Sequence, residues 1–135
     1  MANKKAESRS RYHILKQAEK RGWNTSHPNK GGDCLEEQEI IDYFEDIGLG
    51  LDRPDFLFIK SGIPAVVVEA KNSLDKIDDA ISEAIYYANK INENSQYSVR
   101  VAVGAAGEET CGFAVQVRFL KGTSWVPLKS KGYEI

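Results

Sequence analysis

The sequence predicts an α/β domain in which helices flank a mixed central sheet of about four or five strands. Three observations lead to this prediction. Apolar runs of residues that favour strands, at 56–59 and 65–68, flank a Lys-Ser-Gly-Ile-Pro break. Residues 74–91 carry an apolar stripe of helical period, and residues 113–120 alternate between apolar and polar side chains. A chain of 135 residues is long enough for one domain with a proper core but too short for two domains, so residues 1–135 should be a single domain.

The N-terminal part predicts a basic helix. Residues 1–7 are polar, and we expect them to be disordered. Ser8 can cap a helix that runs to about Arg21 and ends at Gly22, with an apolar stripe of Tyr12, Ile14, Leu15 and Ala18. Its polar side is the most basic stretch of the chain: Arg9, Arg11, Lys16, Lys20 and Arg21. A solvated face and a phosphate-contacting face both fit this pattern, and the solvated face is the commoner of the two.

A second helix is predicted before the apolar runs. Asp33 and Glu36 have the spacing of a capping box, and the helix should end near Ile47-Gly48. Its apolar stripe is Ile40, Ile41, Phe44 and Ile47. Projected back at 100° per residue, Glu37 falls inside that stripe, and an acidic residue on a buried face needs a reason.

The two apolar runs predict a hairpin with a loop of about five residues. If the turn is centred on Gly62, opposed positions sum to 124, and Asp55 faces Glu69. Directly opposed residues have Cβ atoms about 5 Å apart, close enough for two carboxylates to share one metal ion. Without a cation between them, such carboxylates repel and one pKa rises. Strand alternation places Lys71 on the face of Glu69, so the hairpin predicts a metal site with a cation beside it.

The remaining chain predicts one helix and three strands. Asn72-Ser73 should cap a helix to about Asn92, with an apolar stripe of Leu74, Ile77, Ile81, Ala84, Ala88 and Ile91. Glu83 and Tyr87 are neighbours on one flank of this helix. The strands are expected at residues 99–103, 113–120 and 125–128, with a loop at 104–112, a turn at 121–124 and a polar tail at 129–135.

Composition excludes several other classes of function. No apolar run approaches the ~20 residues of a membrane helix, and the N-terminus lacks a signal segment, so we expect a cytoplasmic protein without a membrane partner. Cys34 and Cys111 form neither a disulfide framework nor a zinc motif, and we expect reduced thiols. Neither a G-x-S-x-G elbow nor a Walker A sequence occurs.

Pro54-Asp55, thirteen further residues and then Glu69-Ala70-Lys71 resemble the motif of PD-(D/E)xK nucleases. The flanking residues Arg21-Gly22-Trp23 and Tyr86-Tyr87-Ala88 narrow the resemblance. From about residue 9 to residue 103, the chain resembles the N-terminal endonuclease domain of type I restriction enzyme R subunits and of related fused restriction–modification proteins. This resemblance implies a restriction-endonuclease-like core and a DNA endonuclease that depends on Mg²⁺, with Mn²⁺ as a substitute.

The resemblance also implies roles for individual residues. Asp55 and Glu69 would bind the metal together with the backbone carbonyl of Ala70, and Lys71 would stabilise charge on the phosphate or orient the attacking water. The nuclease domains carry a Q-x-x-x-Y motif on the helix after the hairpin. Tyr87 matches its tyrosine, but Glu83 stands in place of the glutamine, and a carboxylate cannot donate as an amide does.

In these families a helix before the hairpin often adds a carboxylate to the metal site. Glu37 is the favoured residue for this role, with Glu36 and Glu39 as rivals. Preference of first-turn glutamates for the positive end of the helix dipole explains the same residues equally well.

Double-stranded DNA is the partner that the resemblance implies. With 18 basic and 20 acidic residues, the chain lacks the basic excess of a free-standing DNA binder. We therefore expect a fragment or subunit of a larger enzyme, in which further domains or subunits supply motor, methyltransferase or specificity functions. Two alternatives stay open: a nuclease-fold module that has lost cutting and serves DNA binding or assembly, and a repair or junction-resolving nuclease of the same superfamily.

Overall fold

A mixed, open sheet of six strands forms the centre of the fold, with helices against both faces. The computed structural model describes residues 4–44, 46–108 and 112–127. The helices are α1 (Lys4–Lys20), α2 (Glu37–Tyr43) and α3 (Ile77–Asn94). The strands are β1 (Cys34–Glu36), β2 (Phe56–Lys60), β3 (Ile63–Lys71), β4 (Val101–Glu108), β5 (Gly112–Lys121) and β6 (Ser124–Pro127). The predicted α/β class and mixed sheet are confirmed.

The strands lie in the sheet in chain order, and all neighbours are antiparallel except β3 and β4. A parallel pair needs a long crossover connection, and α3 supplies it. Strands β2 and β3 are apolar on both sides because each contributes to two cores. One core includes Leu57 and Val67 with α2 and α3, and the other includes Phe58 and Val68 with α1. The alternation predicted for β3 is therefore confirmed.

The expectation of four or five strands is wrong, because β1 is an additional strand. Its residues were predicted to begin a helix, yet Cys34 and Leu35 pair with Phe58 and Leu57 and are buried against the sheet. Burial of these two side chains at the sheet edge outweighs the capping pattern at Asp33.

Strand β4 is also longer than predicted, since it continues through residues 104–107 that were expected to form a loop. These residues are small, and α3 packs directly on them. A Cβ on Gly104 would lie 2.7 Å from the Cα of Ile81. Close helix packing therefore overrides the low strand propensity of glycine and alanine.

The hairpin between β2 and β3 has a two-residue turn instead of the expected loop of five. Ser61 and Gly62 both have positive φ, 53° and 79°, as in a type I′ turn. The strand register shifts by one residue between Phe58 and Ile59. On the side of this shift away from the turn, the pairing Phe56↔Val68 has the predicted sum of 124. The shift compensates for the shorter turn, and the predicted register is retained where the strands approach Asp55 and Glu69.

The helices differ from prediction mainly at their ends. Helix α1 begins at Lys4, not at Ser8, and so includes residues 4–7 that were expected to be disordered; it ends before Gly22, whose φ is 92°. Helix α2 begins at Glu37 and ends at Tyr43, four residues before the predicted end. A 3-10 turn precedes α3, whose predicted stripe at Ile81, Ala84, Ala88 and Ile91 is buried.

Residues 1–3, Cys111, Leu128 and the tail 129–135 lie outside the described residues. Among the residues that are described, none of the helices is long and apolar enough to cross a membrane.

Candidate active site

Asp55 and Glu69 lie together where the two central strands end. Asp55 directly precedes β2, and Glu69 lies two residues before the end of β3. The backbone N–H of Ala70 donates to Asp55 Oδ2 at 2.7 Å, which ties the aspartate to the neighbouring strand. On its other side, Glu69 pairs in register with Gly104 of β4. The sheet register therefore places this carboxyl pair, as the sequence predicts.

Glu69 is the only buried charged residue in the part of the chain that the structure describes, with 5 % of its surface exposed. Burial, the hydrogen bond to Asp55 and the nearby charges of Asp55 and Glu83 raise the pKa of Glu69 to about 11, against the opposing effect of Lys71. At neutral pH the Glu69 carboxyl is therefore protonated and can donate to Asp55.

Lys71, Glu83 and Tyr87 form one flank of this site. Lys71 Nζ donates to Glu83 Oε2 at 2.8 Å, which joins the end of β3 to α3. Partial burial disfavours the ammonium, but Glu83, Glu69 and Asp55 together raise the pKa of Lys71, so it stays charged. Burial, followed by the charge of Glu69, raises the pKa of Tyr87 to about 12. The phenol therefore remains a neutral hydrogen-bond donor near the carboxyl pair.

Arg11 is the residue of this region whose contacts the sequence analysis missed. It extends from α1, and its Nη2 donates to Asp55 Oδ1 at 2.6 Å. Nη2 also bonds to Glu37, and Nη1 lies 3.3 Å from Glu36 Oε1. The guanidinium is 5.3 Å from the ring centroid of Phe56, a cation–π distance. The prediction that the basic face of this helix is exposed to solvent is therefore wrong at Arg11, whose side chain is only 19 % exposed.

Burial of the guanidinium opposes its charge, but Asp55, Glu37 and Glu36 together raise the pKa of Arg11. The sequence contained only a weak indication that Arg11 is functional, because Arg11 belongs to the basic face of a helix that also has a buried apolar stripe. Nothing in its spacing indicated a contact with Asp55, 44 residues away.

The three glutamates at the start of α2 occupy different environments. Glu37 was expected on the buried face, but it is 55 % exposed and contacts Arg11. The expectation is wrong because α2 ends at Tyr43: Phe44 and Ile47, which defined the predicted stripe, lie beyond the helix, and Ile41 is itself exposed. Glu36 also contacts Arg11, whereas Glu39 accepts a hydrogen bond from the backbone N–H of Glu36 and lies 3.7 Å from His27. Glu36 and Glu37 thus reach the region of Asp55 through Arg11, and Glu39 caps the helix.

Comparisons with protein-family models, curated proteins and solved structures found no match to this chain.

The donor chemistry of the carboxyl pair fits a hard divalent cation. Among residues 4–44, 46–108 and 112–127, no group of three or more His, Cys, Asp or Glu side chains is arranged to hold a metal ion. Mg²⁺, however, is usually bound through one or two carboxylates, with water and substrate phosphate completing its coordination. Asp55 and Glu69 meet this smaller requirement, because their two carboxyl groups adjoin at one end of the hairpin and bring hard oxygen donors together.

Proposed function

We propose that this chain is a Mg²⁺-dependent DNA endonuclease domain with a restriction-endonuclease-like core, of the kind found in type I and related fused restriction–modification enzymes. The observation that carries the proposal is the carboxyl pair of Asp55 and Glu69 at the end of adjacent central strands, with Lys71 on the same strand as Glu69. Two further features support the proposal. Asp55, Glu69 and Lys71 have the spacing of the nuclease motif, and they lie on a mixed sheet whose parallel strands β3 and β4 are connected by α3.

In this proposal Asp55, Glu69 and the backbone carbonyl of Ala70 would hold the ion. When bound, Mg²⁺ supplies positive charge that polarises a phosphate and activates water. Lys71 keeps its proton and can donate to a phosphate oxygen as negative charge develops in the transition state. Glu83 orients the Lys71 ammonium through their 2.8 Å ion pair, and Tyr87 is a neutral donor beside it.

Double-stranded DNA is the proposed substrate, and further domains or subunits would bring it to the site. The charge around the carboxyl pair supports this division of labour. Lys71 and Arg11, which lie beside the carboxyl pair, already pair with carboxylates. A DNA phosphate would therefore depend on basic surfaces supplied from elsewhere for most of its non-specific affinity.

A second candidate is a nuclease-fold module that does not cut and serves binding or assembly. Pairing of Arg11 with Asp55 favours it, because a cation already neutralises one of the two proposed ligands. Glu83 in place of the family's glutamine also favours it. The two candidates differ in whether the isolated domain binds a divalent metal.

Calorimetric titration with Mn²⁺ and Mg²⁺ tests the proposal without requiring a DNA target or a partner. We expect wild type to bind, and Asp55→Ala and Glu69→Ala to lose binding while remaining folded by circular dichroism. Asp42→Ala removes an exposed carboxylate on α2 outside the site and should bind as wild type does. Metal binding that survives in both site variants would refute the paired-carboxylate site. Absence of binding both in folded wild type and in a folded variant without the Arg11 guanidinium would shift the conclusion to the silent module.

A further inference from the structure

Arg11 occupies one of the two oxygens through which Asp55 would bind a metal. Its Nη2 lies 2.6 Å from Asp55 Oδ1, while Oδ2 accepts the N–H of Ala70 at 2.7 Å. Both oxygens of the proposed ligand are therefore engaged within the protein. A guanidinium and a divalent cation on one carboxylate would also repel each other strongly at such short range.

We propose that Arg11 is a positioning residue that holds Asp55 in place and competes with the divalent cation for Asp55 Oδ1. This inference rests on the proposed function, since it concerns the same metal site. A metal ion can occupy the site only after Arg11 releases Asp55. The Arg11 guanidinium therefore acts as an internal counter-cation, and its affinity for Asp55 lowers the affinity of the site for the metal.

The surroundings of Arg11 allow such a release. Glu36 is 46 % exposed, and its contact with Nη1 is separate from the contact of Nη2 with Asp55. Glu37, which is 55 % exposed, shares Nη2 with Asp55. The guanidinium can therefore keep an ion pair with Glu36 or Glu37 after it leaves Asp55.

A purely structural role makes the opposite prediction. If Arg11 served only to fasten α1 to the start of α2, its removal would loosen the surroundings of Asp55 and weaken metal binding. Competition predicts that the same substitution strengthens metal binding. The sign of the change in affinity thus separates the two roles, and cleavage need not be measured.

The experiment is a calorimetric titration of the full chain with Mn²⁺, after treatment with EDTA, for wild type, Arg11→Met and Lys16→Met. Methionine keeps an apolar stem of similar length and removes the charge. Lys16 is the matched control, because it is an exposed cation on the same helix that contacts the Tyr12 ring, not the carboxylates. We expect Arg11→Met to bind Mn²⁺ about tenfold more tightly than wild type, and Lys16→Met to bind as wild type does.

Thermal melting provides a second measurement. In EDTA, Arg11→Met should melt below wild type because three carboxylates lose their partner, and Mn²⁺ should raise its melting temperature more than it raises that of wild type. If Arg11→Met does not fold, Arg11→Lys replaces it. Lysine keeps the charge but not the planar fork that bridges Asp55 to the glutamates, so a several-fold gain in Mn²⁺ affinity is expected.

The possible outcomes separate the competing role of Arg11 from the existence of the metal site. Tighter binding in the Arg11 variant supports the competition, including the case in which wild type shows no binding and the variant does. Equal or weaker binding in a folded variant, with binding in wild type, overturns the role of Arg11 and leaves the metal site standing. Absence of binding in both overturns the metal site and the inference together.

Discussion

Replacement of Glu69 by glutamine should stabilise the metal-free protein, and the gain should grow as the pH rises. Glu69 is the candidate ligand that the fold buries most deeply, and a glutamine in its place keeps the shape and a donor to Asp55. It removes the proton that the folded state must hold. The substitution therefore isolates the cost of placing this carboxyl group in the site.

The magnitude follows from the pKa difference between the two states. The folded protein raises the pKa of Glu69 from 4.5 to about 11, whereas in the unfolded chain it titrates near its ordinary value. The stability contributed by the proton is complete below the unfolded pKa and is lost as the pH rises toward the folded one. The loss is about 1.4 kcal/mol per pH unit, which gives less than about 1 kcal/mol at pH 5 and about 3 to 4 kcal/mol at pH 7.

Urea unfolding of wild type and Glu69→Gln at pH 5 and pH 7, with EDTA present throughout, measures this difference. We expect the two proteins to be similar at pH 5 and the variant to be more stable at pH 7. Glu93→Gln, which changes an exposed glutamate on α3, should follow the wild-type profile. A stability difference that does not change with pH, or a variant less stable than wild type at pH 7, would refute the raised pKa of Glu69 in the folded protein.

Three other substitutions or modifications test separate parts of the structure. Lys71→Ala should retain the fold and calorimetric metal binding yet abolish DNA cleavage, because Lys71 is 26 % exposed and forms its ion pair with Glu83 on α3; a variant that cuts at the wild-type rate would contradict its role. Gly104→Ala should lower the urea-derived stability by about 2 to 4 kcal/mol because its Cβ would press on the backbone of Ile81, and a loss below about 0.5 kcal/mol would contradict that packing. Cys34 should react slowly with iodoacetamide at pH 8, since burial and then the charges of Asp33 and Glu36 raise its pKa to about 12; peptide mass spectrometry that finds equal rates in native and urea-unfolded protein would contradict this.

The sequence predicted best those elements that bury apolar side chains in a regular pattern. Residues 65–68 are apolar on both faces, which is typical of a central strand, and Val67 and Val68 are fully buried in different cores. The stripe from Ile81 to Ile91 located α3 for the same reason. The register of the hairpin also followed from the sequence, although the turn was shorter than expected, because a compensating shift restored the pairing.

Elements that depend on distant partners were not predictable in the same way. Cys34 and Leu35 form a strand only because β2 lies beside them, and a three-residue edge strand has no period of its own. Strand β4 continues through Gly104 because α3 needs the space that a side chain would fill. In both places tertiary packing overrides local propensity, which a single sequence does not reveal.

The residues of the candidate site show the same difference between local and distant interactions. Asp55, Glu69 and Lys71 fall within one hairpin, so strand geometry alone could bring them together. Arg11 reaches Asp55 only because α1 packs on the face of the sheet that carries Phe56, where it contacts β3 and β4. Its presence follows from electrostatics once the carboxylates are assembled, because a group of acidic side chains at the end of a sheet is stable only with a compensating cation or proton. In this structure Arg11 compensates Asp55 and its neighbours, and a proton compensates Glu69; a divalent cation would have to replace both.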